Sequence, residues 1–305
     1  MKFIQSCTVV GGNFGDDINL YLWETIFPNL HSLQSGVHFY GIGTVLGGIH
    51  RPGVKKVVLG SGLGETHSIS KDNNWEFHWV RGPLTAKEFG LPMEAALGDP
   101  AILLPELTPG HDLNGPVGLI PHYATWDSYD WVTIAANVGM VAIDPHQAPN
   151  QVISQMRKCS RIMAESLHGA ICADAMGIPW AVCILAHRFN EFKWRDWMAT
   201  INRPFKAFVI DRPLVAAISY RKSVANRLAR LLKYKQDTRC PALRPVAVSS
   251  VEDVRMVEIA LSRYSLQGQH FSCSQHALIA QQRHKMHKLC AEFASQYHLE
   301  YCDLQ

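Results

Sequence analysis

The sequence predicts an α/β protein with two parallel-sheet domains followed by C-terminal helices. Short β-rich runs alternate with helical or loop segments over the first two thirds of the chain, a pattern typical of βαβ units. Residues 105–116 contain three prolines and two glycines without apolar periodicity, and we interpret them as an interdomain linker. From Pro213 onward the apolar spacing becomes helical. We therefore predict domains at 1–110 and 116–213 and a helical extension over 214–305.

The composition excludes several classes of protein. Of the 305 residues, 47% are hydrophobic and 18% are charged, which is the balance of a folded chain rather than a disordered one. No apolar run reaches the roughly 18 residues of a membrane-spanning helix, and the first residues lack a signal-peptide core. The eight cysteines form no CxxC pair, which argues against a disulfide framework. We expect a cytoplasmic protein.

The net charge of +3 depends on one basic segment. Residues 221–239 hold seven of the 29 Lys and Arg but only one of the 26 Asp and Glu, so the rest of the chain is slightly negative. A nearly neutral body argues against nucleic-acid binding, which needs a broad basic face. Leucines recur on one helical face of residues 221–235, so this segment is either a surface helix packed on its own domain or a peripheral contact with the inner face of a membrane.

Glycine-rich turns follow the predicted strands of the first domain. Those strands cover residues 7–10, 37–40, 55–60 and 75–80. The first turn, GGNFGDDINLYLW at 11–23, enters a helix whose N-terminus can hold an anion. The spacing alone favours the alternative, a tight turn with Asp16 or Asp17 as N-cap. Its spacing fits neither GxGxxG nor a P-loop. The clusters at 41–48 and 60–64 allow either a close backbone approach to a ligand or a plain turn.

Arg81 ends the last of these strands, just before a helix that begins with Pro83. A guanidinium at this edge could bind phosphate or carboxylate in a forked geometry, or form a surface or interdomain ion pair. Farther along, Asp99 and Pro100 have the spacing of an N-cap and a first helical residue, which predicts a helix start.

Two histidines follow strands of the second domain. The predicted strands cover residues 117–121, 140–144, 161–165 and 180–184. His122 comes directly after the first of them, and His168 lies between the third and a helix. An isolated histidine more often has a structural role. Because both histidines lie at the carboxyl ends of parallel strands, a structural role and an anion-binding or proton-transfer role fit them equally well.

Cationic side chains follow the strand at 180–184. Arg188, Lys193 and Arg195 lie among aromatic residues, where they could supply positive charge to an acidic ligand. The same residues also fit an amphipathic helix that packs its aromatic side chains against the sheet. Further helices are predicted near 250–265 and 275–297. The histidines and cysteines of this tail lack zinc-finger spacing, and we expect no metal site.

Seven motifs occur in order between residues 8 and 213. They are GNFGDDINLYLW from 12, GIGTVL from 41, GSGLG from 60, VRGPLTA from 80, GDPAILLP from 98, ESLHGAICADAMGIPW from 165 and FKWRDW from 192. Together they resemble the polysaccharide pyruvyl transferase family, especially the branch that places ketal-linked pyruvate on exopolysaccharides such as succinoglycan. The resemblance implies a glycosyltransferase-B-like architecture of two Rossmann-like domains facing a cleft. It also implies phosphoenolpyruvate as donor substrate, without a further cofactor, and a saccharide, often lipid-linked, as acceptor.

One motif departs from the family pattern. Other branches have Arg-Leu-His, with the Arg and His at the donor, whereas this chain has Ser166, Leu167 and His168. His168 is therefore the expected proton donor, and the cation for the donor must come from elsewhere. The donor-binding candidates are Asn13, Gly15, Arg81, Ser166, Arg188, Lys193 and Arg195. The candidate bases are Asp17, His122 and Glu165.

Two other functions fit the same sequence. A nucleotide-sugar-dependent glycosyltransferase shares the implied architecture, and the glycine-rich turns could cradle a diphosphate. A non-catalytic saccharide-binding subunit could keep the fold without the chemistry, as the serine at position 166 would allow.

Overall fold

Two all-parallel β-sheets organise the chain, as the sequence predicts. The structure is a computed structural model, and it describes residues 2–3, 12–33, 36–48, 50–65, 69, 72–126, 129–186, 189–214 and 251–304. The predicted strand at 7–10 and the basic segment at 221–235 lie outside these residues.

The first sheet has four strands in the order β1-β2-β3-β4. These are β1 (Lys2–Phe3), β2 (Val37–Tyr40), β3 (Lys55–Leu59) and β4 (Trp75–Trp79). The last three match predicted strands, and β1 was not predicted. The helices of this half are α1 (Phe14–Ile26) and α2 (Pro83–Phe89), with 3-10 turns at Leu30–Ser32, Met93–Ala95 and Pro100–Leu103. Consecutive buried residues in β3 are typical of a parallel strand covered on both faces.

The second sheet has five strands in the order β6-β5-β7-β8-β9. They are β5 (Val117–Ile120), β6 (Met140–Ala142), β7 (Arg161–Ala164), β8 (Trp180–Ala186) and β9 (Ala207–Leu214). The helices are α3 (Tyr123–Trp126), α4 (Trp131–Ala136), α5 (Pro149–Met156), α6 (Leu167–Met176) and α7 (Glu191–Thr200). The chain leaves β5 in one direction toward β6 and returns to β7 on the other side. The carboxyl ends of β5 and β7 therefore form the topological switch point, where open α/β sheets bind ligands.

The two halves are joined by residues 105–116, which contain no helix or strand. The largest hydrophobic core includes side chains from both halves, such as Phe14 and Leu22 of α1, Val152 of α5 and Ile171 of α6. These helices pack between the sheets. The domain boundaries and the glycosyltransferase-B-like cleft stay predictions.

The C-terminal helices pack on different sheets. They are α8 (Val251–Ser265) and α9 (His276–Tyr297), which confirms the two helices predicted in this region. In α8, Val257 and Leu261 belong to the core of the second sheet. In α9, Phe293 lies 5.2 Å from the ring of Phe27 and 5.9 Å from that of Phe39, in the first half. Among the described helices, none is both long enough and apolar enough to cross a membrane.

Candidate active site

Glu165 connects the strand ends at the switch point. It directly follows β7 and is buried, with Oε2 accepting a hydrogen bond from the His122 backbone N–H at 2.9 Å. Its Oε1 accepts one from the Leu185 N–H at 3.2 Å, in β8. Burial raises the pKa of Glu165, while these hydrogen bonds act in the opposite direction. Through these two hydrogen bonds Glu165, which follows β7, connects the chain after β5 with β8.

The N-terminus of α1 lies against these strand ends. The Phe14 N–H donates to the carbonyl of Pro145 at 2.9 Å, in the loop after β6. A Cβ added at Gly15 would overlap the His168 imidazole, with Nδ1 as the nearest atom. Glycine in this turn therefore serves a close approach between two parts of the protein. The N-cap of α1 is Asn13 rather than Asp16 or Asp17, because the helix begins at Phe14 and both aspartates lie within its first turn. The Asn13 N–H donates to Asp17 Oδ2 at 3.0 Å.

His168 also faces a carboxylate. Its Nε2 is 3.7 Å from Oδ2 of Asp99, whose side chain has no exposed surface. Asp99 is the N-cap of the turn at Pro100–Leu103, as predicted, because Oδ1 accepts from the Ala101 N–H at 3.0 Å. Sequence reasoning assigned Asp99 this capping role alone. No sequence signal relates it to His168, because the contact joins the two halves of the chain.

Lys193 and two further imidazoles lie near His122 at the switch point. Burial lowers the pKa of His122 well below its ordinary value. Electrostatic interactions with Lys193, His168 and His146 act in the same direction, so these side chains lie near His122. His146 was not predicted, and its Nδ1 is 3.0 Å from Asp144 Oδ1. It follows β6 closely, so the strand-end position that identified His122 could have identified it as well.

Lys193 belongs to this group and has no direct ion-pair partner among the described residues. Its Nζ makes no hydrogen bond or ion pair with any residue in the part of the chain that the structure describes. Burial lowers the pKa of Lys193 to about 8, and the charge of Arg81 contributes to this. Asp16 and Glu165 oppose the shift. The α7 helix therefore presents a partly buried ammonium to the switch point.

Arg81 is held in a buried network. Its side chain donates to Thr44 Oγ1 at 2.9 Å, to the Leu63 carbonyl at 2.6 Å, and to Asp196 Oδ2 at 3.3 Å. Asp196 has no exposed surface and also accepts from the N–H and hydroxyl of Thr85. This is a buried ion pair between the two halves of the chain, which the sequence left open as an alternative to ligand binding. The guanidinium remains close enough to Lys193 to lower its pKa.

Of the remaining candidates, Arg195 faces away from these residues, Ser166 lies at the switch point as a helix cap, and Arg188 is not among the residues that the structure describes. Arg195 is two positions from Lys193 and lies on the other face of α7, with 53% of its side chain exposed and an ion pair to Glu191. Ser166 is the N-cap of α6, where its hydroxyl accepts from the Gly169 N–H at 3.4 Å. Arg188 lies outside the described residues.

The described residues contain no group of three or more His, Cys, Asp or Glu side chains arranged to hold a metal ion. In α9, His287 and Cys290 are buried in the core, and His287 Nδ1 is 3.0 Å from the Tyr301 hydroxyl. These two side chains of the tail therefore have structural contacts.

Comparisons with known proteins agree with the motifs. A sequence model of the polysaccharide pyruvyl transferases matches residues 2–187. The chain is 36% identical over 224 residues to the succinoglycan biosynthesis protein ExoV of Rhizobium meliloti (strain 1021), covering 72% of this chain and 69% of that protein. It is 28% identical over 183 residues to the uncharacterized protein L143 of Acanthamoeba polyphaga mimivirus, covering 55% and 62% of the two chains. No solved structure matches. The chain therefore belongs to the polysaccharide pyruvyl transferase family.

Proposed function

We propose that the protein transfers pyruvate from phosphoenolpyruvate, as a ketal, onto two hydroxyls of a sugar in an exopolysaccharide or lipid-linked oligosaccharide. The observation that carries this proposal is the ammonium of Lys193, which lies near His122 and has no ion-pair partner among the residues that the structure describes. Phosphoenolpyruvate carries a phosphate and a carboxylate, and a partly buried site must supply positive charge and hydrogen-bond donors to both. The acceptor class follows from the family and from the relative involved in succinoglycan biosynthesis.

Lys193 is the donor cation in this proposal. Arg81 shares its charge with Asp196, and its contacts with Thr44 and Leu63 fix the guanidinium in place. Lys193 has no such partner among the described residues, and a bound anion would favour its charged form. It would therefore supply the charge that Ser166, engaged as a helix cap, does not.

His168 acts as the acid in the first step. It gives a proton to the methylene carbon of the donor, so that a C–H bond forms from the C=C electron pair as an N–H bond breaks. A sugar hydroxyl then bonds through its oxygen to the adjacent carbon and loses its proton to a base. The second hydroxyl bonds to the same carbon as the C–O bond to phosphate breaks, and its proton leaves with the phosphate. The products are one pyruvate ketal and one inorganic phosphate.

Asp17 is the base that the contacts support among the three candidates. His122 Nδ1 accepts from the Ala124 N–H at 3.3 Å, so the neutral ring carries its proton on Nε2 and donates from there. Both oxygens of Glu165 accept backbone hydrogen bonds. In Asp17, Oδ2 accepts from Asn13 and Oδ1 has no hydrogen bond to a described residue.

The test is phosphate release from phosphoenolpyruvate, with an acid-depyruvylated bacterial exopolysaccharide as acceptor. We expect release that requires both substrates, with a ketal methyl signal appearing in the NMR spectrum of the polysaccharide. Lys193→Met should raise the KM for phosphoenolpyruvate about 10- to 100-fold, because a charge-assisted contact with a desolvated anion is lost. Arg195→Met, on the other face of the same helix, is the matched control and should leave it unchanged. Equal KM values in the two variants would refute the role of Lys193.

A further inference from the structure

One carboxylate oxygen of Asp99 has no hydrogen-bond partner among the described residues. Oδ1 is the helix-capping oxygen, and Oδ2 is enclosed without a hydrogen bond. The Nε2 atom of His168 is likewise enclosed without a hydrogen bond, and it lies 3.7 Å from that oxygen. An enclosed carboxylate oxygen is strongly unfavourable unless a proton donor faces it. The imidazole N–H of His168 is the group in position to be that donor.

The orientation of His168 is fixed from two sides. Gly15 of α1 lies against Nδ1, and Asp99 faces Nε2. The side chain is 13% exposed, and since Nε2 is enclosed, the accessible surface belongs to other atoms of the ring. Cys172 lies one turn along α6 from His168. Burial raises the pKa of its thiol, and Asp99 is close enough to add to this shift.

We propose that Asp99 is a positioning residue for His168. Its Oδ2 holds the proton on Nε2 and stabilises the imidazolium, which leaves Nδ1 as the nitrogen that delivers a proton to the methylene carbon of the donor. The Nδ1–H bond breaks as the C–H bond forms, and the ring remains neutral with its proton on Nε2. This inference rests on the proposed function, because it takes His168 as the acid.

Asp130 provides a matched control. It is also a helix N-cap, with Oδ1 accepting from the Thr133 N–H at 3.1 Å, but it lies at α4 on the surface. An Asp→Asn substitution at either position keeps an oxygen for the cap. At position 99 it removes the carboxylate that faces His168, whereas at position 130 it changes no contact with the site.

The experiment reads the tautomer of His168 by NMR in the full chain with ¹⁵N-labelled histidine, using His168→Gln to assign the signal. In the native protein at alkaline pH we expect the proton on Nε2. Asp99→Asn should remove this preference and lower the kcat of the transfer assay about 10²- to 10⁴-fold, with the KM for phosphoenolpyruvate unchanged. Asp130→Asn should change neither quantity.

A native His168 with its proton on Nδ1 would overturn the proposal, and so would an Asp99→Asn variant with the native tautomer or the native kcat. The native tautomer decides the matter even if Asp99→Asn does not fold. Retention of full activity by His168→Gln would instead refute the acid role in the proposed function. The tautomer measurement does not use activity, so the two failures are distinguishable.

Discussion

At the scale of one residue, burial of the Lys193 ammonium in a candidate anion site lowers the stability of the folded protein at neutral pH. An unfolded lysine titrates near 10.4, whereas burial and Arg81 lower the pKa of Lys193 in the folded protein to about 8. Between these values the unfolded chain binds more protons, so the stability contributed by this group rises with pH in that window. Below pH 8 the folded protein carries a partly buried charge that opposes folding.

The Lys193→Met variant should therefore be more stable than the native protein at pH 7, although it binds the donor less well. We expect a gain of about 1–3 kcal/mol, because a partly buried charge with no ion-pair partner in the described part of the chain is replaced by an apolar side chain of similar length. Urea unfolding at pH 7 and pH 9.5 measures it, and the gain should shrink at the higher pH. Arg195→Met should change stability by less than about 0.5 kcal/mol. A less stable Lys193→Met at pH 7 would contradict the assignment.

Residues at strand ends could be predicted from the sequence, whereas contacts between the halves could not. His122 and His168 were found because each follows a short β-rich run. Asp99 and Asp196 were not assigned to the site, because their partners His168 and Arg81 are far away in the chain. Local spacing predicts the capping hydrogen bond of Asp99 Oδ1, but it gives no information about the partner of Oδ2.

At the scale of the element, the contact between the first turn of α1 and His168 determines which residue fits at position 15. Ala is normally favoured over Gly in a helix by about 1 kcal/mol. At position 15 a methyl group would overlap the His168 imidazole, so this preference is reversed. The glycine-rich turn resembles a ligand-binding loop in sequence, but here the close approach is to a side chain of α6.

A double-mutant cycle tests this contact. Gly15→Ala should destabilise the native protein by about 1–3 kcal/mol, since the imidazole and the helix must move apart. In a His168→Ala background the same substitution should stabilise the protein by up to about 1 kcal/mol, because only the helix preference remains. Thermal unfolding of the four proteins gives the coupling energy. A stabilising Gly15→Ala in the presence of His168 would show that the two residues are not in contact.

Most predicted strands were confirmed, and β9 shows why one was missed. Pro213 at its end was interpreted as the start of a helix. Because β9 is the edge strand of its sheet, a proline is tolerated there without the loss of an interior ladder hydrogen bond. A sequence pattern does not show whether a strand lies at an edge, so this proline could not be interpreted correctly in advance.

At the scale of the whole molecule, the class of fold was predictable and its assembly was not. Alternating segments indicate parallel sheets, but they do not give the order β6-β5-β7-β8-β9 that creates the switch point. The packing of α8 and α9 on different sheets depends on apolar contacts between distant parts of the chain. The buried ion pair of Arg81 and Asp196 likewise joins the halves beside the site.

Thermal unfolding of the native protein with candidate donors tests the central claim most directly, because a ligand that binds only the folded state must stabilise it. We predict that millimolar phosphoenolpyruvate raises the unfolding temperature, that a nucleotide sugar and NAD do not, and that Lys193→Met loses most of the shift. Stabilisation by a nucleotide sugar without any by phosphoenolpyruvate would contradict the account and favour a glycosyltransferase. No stabilisation by any donor, together with binding of the saccharide, would contradict it in favour of a non-catalytic subunit.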